Sequence, residues 1–160
     1  MDKNALTQAQ AMYAVMKEAC DAAGIDYEAH DDGFALAFTV YGDDVAIPIS
    51  MRLFPENRIF SVISTLPCGV PKHKRDDFAL AVCYINNLLV DGNFDFDYIS
   101  GRTLFRFTSS YYDSLISKQA VMRMLGLSIE QVDNYNDKLV RLALGASLED
   151  FKAFVGAVKR

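Results

Sequence analysis

The sequence predicts an α+β fold in which an antiparallel β-sheet is packed by helices on one face. Two observations support this prediction. Short segments in which apolar and polar residues alternate, separated by turn residues, occupy residues 25–66 and 94–107. Segments with apolar residues three and four positions apart stand before, between and after them. Because one side of the alternating segments is apolar and the other is mixed, we expect helices to cover only one face of the sheet.

The first helix and the first four strands follow directly from these patterns. The helix is predicted over residues 5–23, and Gly24 suits the position just past its end. A four-strand meander is then predicted, with Asp32-Gly33 as a two-residue turn between its first two strands. The predicted strands span residues 25–31, 34–41, 45–54 and 58–66.

The alternation also predicts how the strands pair. Tight turns place Tyr27 opposite Phe38, Val40 opposite Ile47, and Met51 opposite Val62. These pairings put the large apolar side chains of the meander on one face. Burying each of them contributes roughly 1.5–3 kcal/mol to stability.

A second helix and a β-hairpin come next. A connector rich in Pro and Gly, residues 66–71, leads to a helix predicted over residues 72–90. The hairpin has strict alternation on both sides of Ser100-Gly101. A two-residue turn there would pair Ile99 with Arg102. The same register sets Phe96 opposite Phe105, Phe94 opposite Phe107 and Asp95 opposite Arg106.

The C-terminal part of the sequence predicts a loop and three helices. Residues 109–117 are typical of a loop, and a short helix is predicted over residues 118–125. Ser128 and Gln131 have the spacing of a capping box that opens a helix ending at Leu144, and Ser147 caps a last helix over residues 148–158. We expect a single domain over residues 1–160, with a core at 1–145 and an appended helix at 146–160.

Composition narrows the classes of partner and compartment. The chain has a net charge of −5, which disfavours binding to nucleic acid phosphates. Its three cysteines match no disulfide or zinc spacing, so we expect a reducing, cytoplasmic location. The start of the chain lacks a signal-peptide pattern and no apolar run approaches the roughly 20 residues of a membrane span, so we expect no membrane partner.

The order of elements and a set of turn and helix-end residues resemble the YbjN family of bacterial sensory-transduction regulators, which is related in fold to the small chaperones of type III secretion. The resemblance covers residues 5–145, and the helix after Ser147 is additional to it. It implies a cytosolic, non-enzymatic, often dimeric protein that binds other proteins. The matching residues are Leu66-Pro67, Val70-Pro71, Asn86-Asn87, Gly92-Asn93-Phe94, Asp97, Gly101 and Arg106.

Aromatic residues without a catalytic role are the candidates for a protein interface, because amphipathic rings anchor protein contacts; the alternative is that most of them lie in the core of the monomer. The last helix has a strong apolar stripe that must pack either on its own domain or on a partner. The candidate interface residues are Tyr98, Tyr111, Tyr112, Phe151 and Phe154.

Two further candidates lie near the start of the second helix. Lys72, His73, Lys74 and Arg75 form a basic run that either binds an anion or an acidic partner, or is a solvated helix end balanced by Asp76 and Asp77. Cys68 precedes these cations, and a thiol near cations at a helix N-terminus can have a lowered pKa and react.

Other chemistry finds little support in the sequence. The acidic residues of the meander fall in turns and have no EF-hand spacing, so we expect no metal. No nucleotide-binding or nucleophile motif is present, and we expect no cofactor and no catalytic residue.

The sequence therefore predicts a cytoplasmic, non-enzymatic protein-binding module, either chaperone-like or a regulatory adaptor, that forms a homodimer. Two alternatives stay open. One is a small-ligand sensor with a pocket between the sheet and the C-terminal helices, and the other is a thiol-based redox sensor at Cys68.

Overall fold

The computed structural model describes residues 3–157. The predicted helix end at Val158 lies outside the described residues. Two 3-10 turns, Asp31–Gly33 and Lys72–Lys74, accompany the longer elements. In chain order these are α1 Lys3–Ala22, β1 Glu28–His30, β2 Ala35–Tyr41, β3 Ala46–Phe54, β4 Ile59–Gly69, α2 Arg75–Asn86, β5 Asn93–Asp97, β6 Arg102–Ser110, α3 Lys118–Ala143 and α4 Leu148–Ala157.

The six strands form one antiparallel sheet in the order β1-β2-β3-β4-β6-β5. The core lies between one face of this sheet and the helices. α3 packs on β4 and β6, α1 packs on α3 and β3, and α2 packs on β5. The predicted α+β architecture with helices on one face is confirmed. Fully buried side chains at this interface include Leu36, Met51, Phe60, Val62 and Phe105.

The pairings predicted for the middle of the meander are confirmed. Val40 pairs with Ile47 and Met51 pairs with Val62. The turn at Asp32-Gly33 gives the predicted register, since His30 pairs with Ala35, but it has four residues rather than two: residues 31–33 form a 3-10 turn and Phe34 adopts a left-handed conformation with φ of 47°. The first strand is accordingly only three residues long.

The register predicted for the second hairpin is wrong by two residues. Phe94 pairs with Phe105 and Asp97 pairs with Arg102. The turn therefore contains residues 98–101, which we call the tip turn. A shift of two residues leaves every side chain on its predicted face. Phe94 and Phe105 are buried, and Asp95 still forms an ion pair with Arg106.

Two element boundaries also differ from the prediction. The connector predicted at residues 66–71 is largely strand, because β4 continues to Gly69 with an irregularity in its pairing with β6 between Thr65 and Gly69. The α-helix that follows begins at Arg75, after the 3-10 turn, and ends at Asn86 rather than at residue 90.

The two helices predicted at 118–125 and 128–144 are one continuous helix, α3. Ser128 does not cap a helix. Its buried hydroxyl donates a hydrogen bond to the carbonyl oxygen of Met124 at 2.8 Å, as a helix-interior serine does. The true N-cap is Ser117, whose hydroxyl accepts from the Ala120 N–H at 3.2 Å.

The last helix folds back onto its own domain. Ser147 caps it as predicted, since its hydroxyl accepts from the Asp150 N–H at 3.1 Å. α4 packs against α2 and α3, and Phe151 and Val155 are buried there. None of the helices in the described part of the chain has the length and apolar character that a membrane span requires.

Candidate protein-interaction surfaces

The basic run at 72–75 is divided between different parts of the fold. Lys72 and His73 are exposed, whereas Lys74 and Arg75 are half-buried. The Lys74 ammonium donates to the carbonyl oxygen of Ala146 at 3.1 Å and lies 3.7 Å from the Asp77 carboxylate. It thereby ties the α3–α4 connection to the start of α2. The run does not converge on one anion site.

Arg75 has a structural role at the tip turn. Its guanidinium donates to three backbone carbonyl oxygens, those of Val70 at 3.2 Å, Tyr98 at 2.9 Å and Ile99 at 2.7 Å. Gly101, with φ of +77°, lies against the same group: a Cβ there would be 2.5 Å from the Val70 carbonyl oxygen. The tip turn is therefore held from outside by α2 and by the end of β4.

Asp97 holds the same turn from inside. Its carboxylate accepts from the Ile99 N–H at 2.9 Å and from the Ser100 hydroxyl at 2.6 Å. The hydrogen bond from Ser100, those from the Ile99 and Ser100 N–H groups and the nearby Arg75 charge lower the pKa of Asp97 below 3.8. The turn is pre-organised by charged groups on both sides.

This rigid turn presents apolar side chains to solvent. Ile99 is 87% exposed and Tyr98 is 52% exposed. The Tyr98 hydroxyl donates to the Asp76 carboxylate at 2.8 Å, which fixes the ring beside α2. Leu80, 58% exposed, lies one helical turn further along the face of α2 that carries Asp76. We call Leu80, Tyr98 and Ile99 the tip surface.

The two tyrosines at the end of β6 lie in different environments. Tyr111 is fully buried and therefore belongs to the core, which corrects its assignment as an interface candidate. Its N–H donates to the Arg58 carbonyl oxygen at 2.8 Å, because the chain continues beyond β6 alongside β4. Tyr112 is 62% exposed, with the Arg58 guanidinium 4.5 Å from its ring centre.

The two phenylalanines of α4 also separate. Phe151 is 3% exposed and packs in the core, so its assignment as an interface candidate is corrected as well. Phe154 is 48% exposed, and the Arg141 guanidinium lies 5.0 Å from its ring centre. Of the five predicted interface residues, Tyr98, Tyr112 and Phe154 are at the surface, in three separate places.

Phe154 borders a groove between the end of α3 and α4. The groove has a volume of about 620 Å³. We call it the α3–α4 groove. The sensor hypothesis placed a pocket between the sheet and the C-terminal helices, whereas this groove lies between two helices. Its lining includes Lys138, Arg141, Ala146, Phe151, Ala153 and Phe154.

Cys68 lies near the end of β4 and is half-buried. Burial raises the pKa of its thiol. A reactive thiol requires a shift in the opposite direction, so that more thiolate is present near neutral pH.

Within residues 3–157, no group of three or more His, Cys, Asp or Glu side chains is placed to hold a metal ion. Three acidic residues, Asp43, Asp44 and Asp133, come together where α3 meets the β2–β3 turn. Asp133 lies so close to Gly42 that a Cβ on Gly42 would be 1.9 Å from a carboxylate oxygen. Burial and the charges of Asp43 and Asp44 raise the pKa of Asp133.

Sequence reasoning missed Asn86 as a structural residue of the hairpin. Its side-chain amide donates to the Phe94 carbonyl oxygen at 2.9 Å, and its amide oxygen accepts from the Phe94 N–H at 2.8 Å. Asn86 thus pairs with the outer edge of β5 as a neighbouring strand would. An amide at the last turn of a helix, seven residues before the first residue of a strand, was the available signal.

Comparisons with known proteins agree with this fold. Residues 13–141, most of the chain, match the model of the YbjN family, described as "Putative bacterial sensory transduction regulator". No curated protein matches the sequence.

Solved structures provide two similar folds. The first, "Crystal Structure of the ExsC-ExsE Complex", has a TM-score of 0.59 at 12% identity, covering 87% of this chain and 97% of that chain. The second, "Structure of the HopA1-SchA Chaperone-Effector Complex", has a TM-score of 0.58 at 13% identity, covering 86% of this chain and 98% of that chain. At these identities the likeness shows the fold alone.

Proposed function

The chain belongs to the YbjN family and has a fold like that of type III secretion chaperones, and we propose that it is a non-enzymatic, cytoplasmic protein-binding module, chaperone-like or a regulatory adaptor. One of the similar structures is a chaperone–effector complex. The proposal extends that kind of role, the binding of another protein, to this chain.

The tip surface is the observation that carries the proposal. Tyr98 and Ile99 are exposed on a turn that Arg75 and Asp97 hold in one conformation. Apolar and aromatic side chains on a rigid support lose little conformational entropy when they are buried by a partner. An exposed isoleucine at a fixed turn therefore supports a role in protein contact better than a role in chemistry.

Capture from a lysate of the parent cell tests the proposal. Immobilised wild-type protein is expected to enrich specific proteins over an unrelated acidic protein of similar size. Ile99→Glu is expected to abolish that enrichment, because a charge replaces an apolar anchor. Tyr41→Glu is the matched control, since Tyr41 is 85% exposed but lies at the end of β2. Equal capture by all three proteins and the unrelated protein would contradict the proposal.

We further propose that the protein forms a homodimer, as the family resemblance implies. Light scattering at tens of micromolar is expected to give a mass near twice 17.8 kDa. A clean monomer under these conditions would count against the homodimer and leave protein binding to be judged by the capture experiment.

A further inference from the structure

The α3–α4 groove differs in kind from the tip surface. The residues of its α4 side, from Ala146 to Phe154, follow the segment matched by the family model, which ends at residue 141. Its floor is apolar, with the half-exposed ring of Phe154 and the small side chains of Ala146 and Ala153. The groove is thus a feature that this chain adds to the shared fold.

The walls of the groove determine which backbone conformation an occupant can have. Both walls are α-helices, whose backbone groups are bonded within the helix except at the ends. At the α3–α4 connection, the carbonyl oxygens of Gly145 and Ala146 already accept from the Lys74 ammonium. The lining therefore offers no free strand edge. An occupant must satisfy its own backbone hydrogen bonds, which a helix does.

The charges at the groove indicate which charged side chains that helix carries. Lys138 and Arg141, one turn apart on α3, line the groove, and neither forms an ion pair within the described part of the chain. The one lining carboxylate, Asp150, accepts from the Ser147 hydroxyl and lies in the first turn of α4. The Lys138 ammonium donates to the carbonyl oxygen of Asn134, and the Arg141 guanidinium lies over the Phe154 ring. Two cations without a carboxylate partner among the described residues, beside an apolar floor, complement acidic side chains that flank an apolar stripe.

We propose that the α3–α4 groove binds an amphipathic helix of a partner protein, with its apolar stripe on Phe154 and its acidic side chains on Lys138 and Arg141. This inference rests on the proposed protein-binding function and names its partner class. α4 has ten residues and is about 15 Å long, so the groove contacts about three turns of the bound helix.

A pair of synthetic peptides tests the inference. One is an amphipathic helix with leucines at i, i+3, i+4 and i+7 flanked by glutamates; its twin carries lysines in place of the glutamates. Fluorescence anisotropy is expected to show binding of the glutamate peptide that is about tenfold tighter than binding of the twin. Added salt is expected to reduce the difference.

Variants of the groove are compared with a matched pair elsewhere. Arg141→Glu is expected to reverse the preference between the two peptides. Phe154→Ala is expected to weaken binding of the glutamate peptide about tenfold. Arg52 and Phe54 are the controls, because Arg52 lies 5.5 Å from the centre of the half-exposed Phe54 ring on the opposite face of the sheet. Arg52→Glu and Phe54→Ala are expected to leave peptide binding unchanged.

Three peptide results would overturn the inference: failure of the glutamate peptide to bind, equal binding of the two peptides, or the same response to Arg141→Glu and Arg52→Glu. A fourth is a change of oligomeric state in Arg141→Glu, which would identify the occupant as a second copy of the chain. If the peptides show no selectivity while the lysate capture succeeds, the groove is not a helix-binding site and the proposed function stands. If the peptides show selectivity while the lysate capture fails, the groove stands and the tip surface is not the binding site.

Discussion

The turn between β1 and β2 and the tip turn between β5 and β6 have the same length but different supports. Each has four residues, since His30 pairs with Ala35 and Asp97 pairs with Arg102. The first turn is closed by a bond from the Phe34 N–H to the Asp31 carbonyl oxygen, and the Leu53 N–H of β3 donates to the Phe34 carbonyl oxygen at 3.1 Å. The tip turn is bonded to α2 by the guanidinium of Arg75 and to the residue after β4. Turns of equal length thus differ in whether a charged side chain from another element bonds to their backbone.

The contacts of the tip turn show which charged residues near the β5–β6 hairpin stabilise it. Arg75 is on another element, yet its guanidinium bonds to two carbonyl oxygens of the tip turn, and Asp97, the last residue of β5, accepts from N–H groups of that turn. The first turn is contacted by side chains of α1, with Lys17 at 3.9 Å from the Asp31 carboxylate and the Tyr13 ring edge-on to Phe34, while Gly33 has open space around it. Substitutions should therefore destabilise the protein much more around the tip turn than around the first turn.

Gly101→Ala is expected to have the largest effect, a loss of about 2–4 kcal/mol in the free energy of unfolding, because the added Cβ meets the Val70 carbonyl oxygen and the φ is left-handed. Gly33→Ala, with no atom within 4 Å and no positive φ, should change stability by less than about 0.5 kcal/mol. Urea denaturation measures both. Similar losses in the two variants would show that the turns are equally constrained.

Arg75→Met retains much of the side chain's apolar stem and removes the donors to three carbonyl oxygens. We expect a loss of about 1–3 kcal/mol in the free energy of unfolding, since bonds from a charged donor are among the stronger ones. Lys72→Met, in the same basic run but exposed, is the control and should be nearly neutral. A larger effect at Lys72 than at Arg75 would contradict the structural role.

Asn86→Ala removes two hydrogen bonds to Phe94 and is expected to cost about 1–2 kcal/mol. Its neighbour Asn87 is exposed, so Asn87→Ala provides a control at the same helix end. Hydrogen exchange at the Phe94 N–H should become faster in Asn86→Ala alone. Unchanged protection there would mean that the amide contributes nothing to the strand edge.

Asp97→Asn tests the electrostatic part of the comparison. The pKa of Asp97 is lowered in the folded protein, so its ionised form stabilises the fold above pH about 4. This contribution is lost as the pH falls from about 4, the pKa of the unfolded chain, through the lower pKa of the folded protein. The urea midpoint of Asp97→Asn should therefore fall less than that of the wild type between pH 5 and 2. Asp32→Asn in the first turn controls for the loss of one charge. Parallel curves for all three proteins would refute the assignment.

Alternation predicted the faces of the strands correctly, but it did not determine the register of the second hairpin. Phe94 pairs with Phe105 rather than with Phe107 across a four-residue turn whose carbonyl oxygens accept from Arg75, a contact that no local pattern shows. The continuity of α3 was available from the sequence, since the buried positions Val121, Leu125, Ser128 and Val132 keep helical spacing across the supposed cap.

The candidate surfaces were predictable only in part. Tyr98 and Phe154 were identified by residue type, but Tyr111 and Phe151 have the same type and are buried by tertiary packing. The importance of Lys138 and Arg141 requires knowing that α4 folds back beside α3. Such pairings arise between elements that are distant in sequence, where periodicity carries no information.

The amide of Asn86 limits the width of the sheet. It occupies the backbone groups that an incoming strand would use at Phe94, the second of the five residues of β5. The opposite edge, β1, has three residues, two of them charged or titratable. Neither edge of the sheet offers a long row of free backbone groups to a strand of a neighbouring molecule. The sheet therefore resists edge-to-edge pairing between molecules and the fibre growth that follows from it.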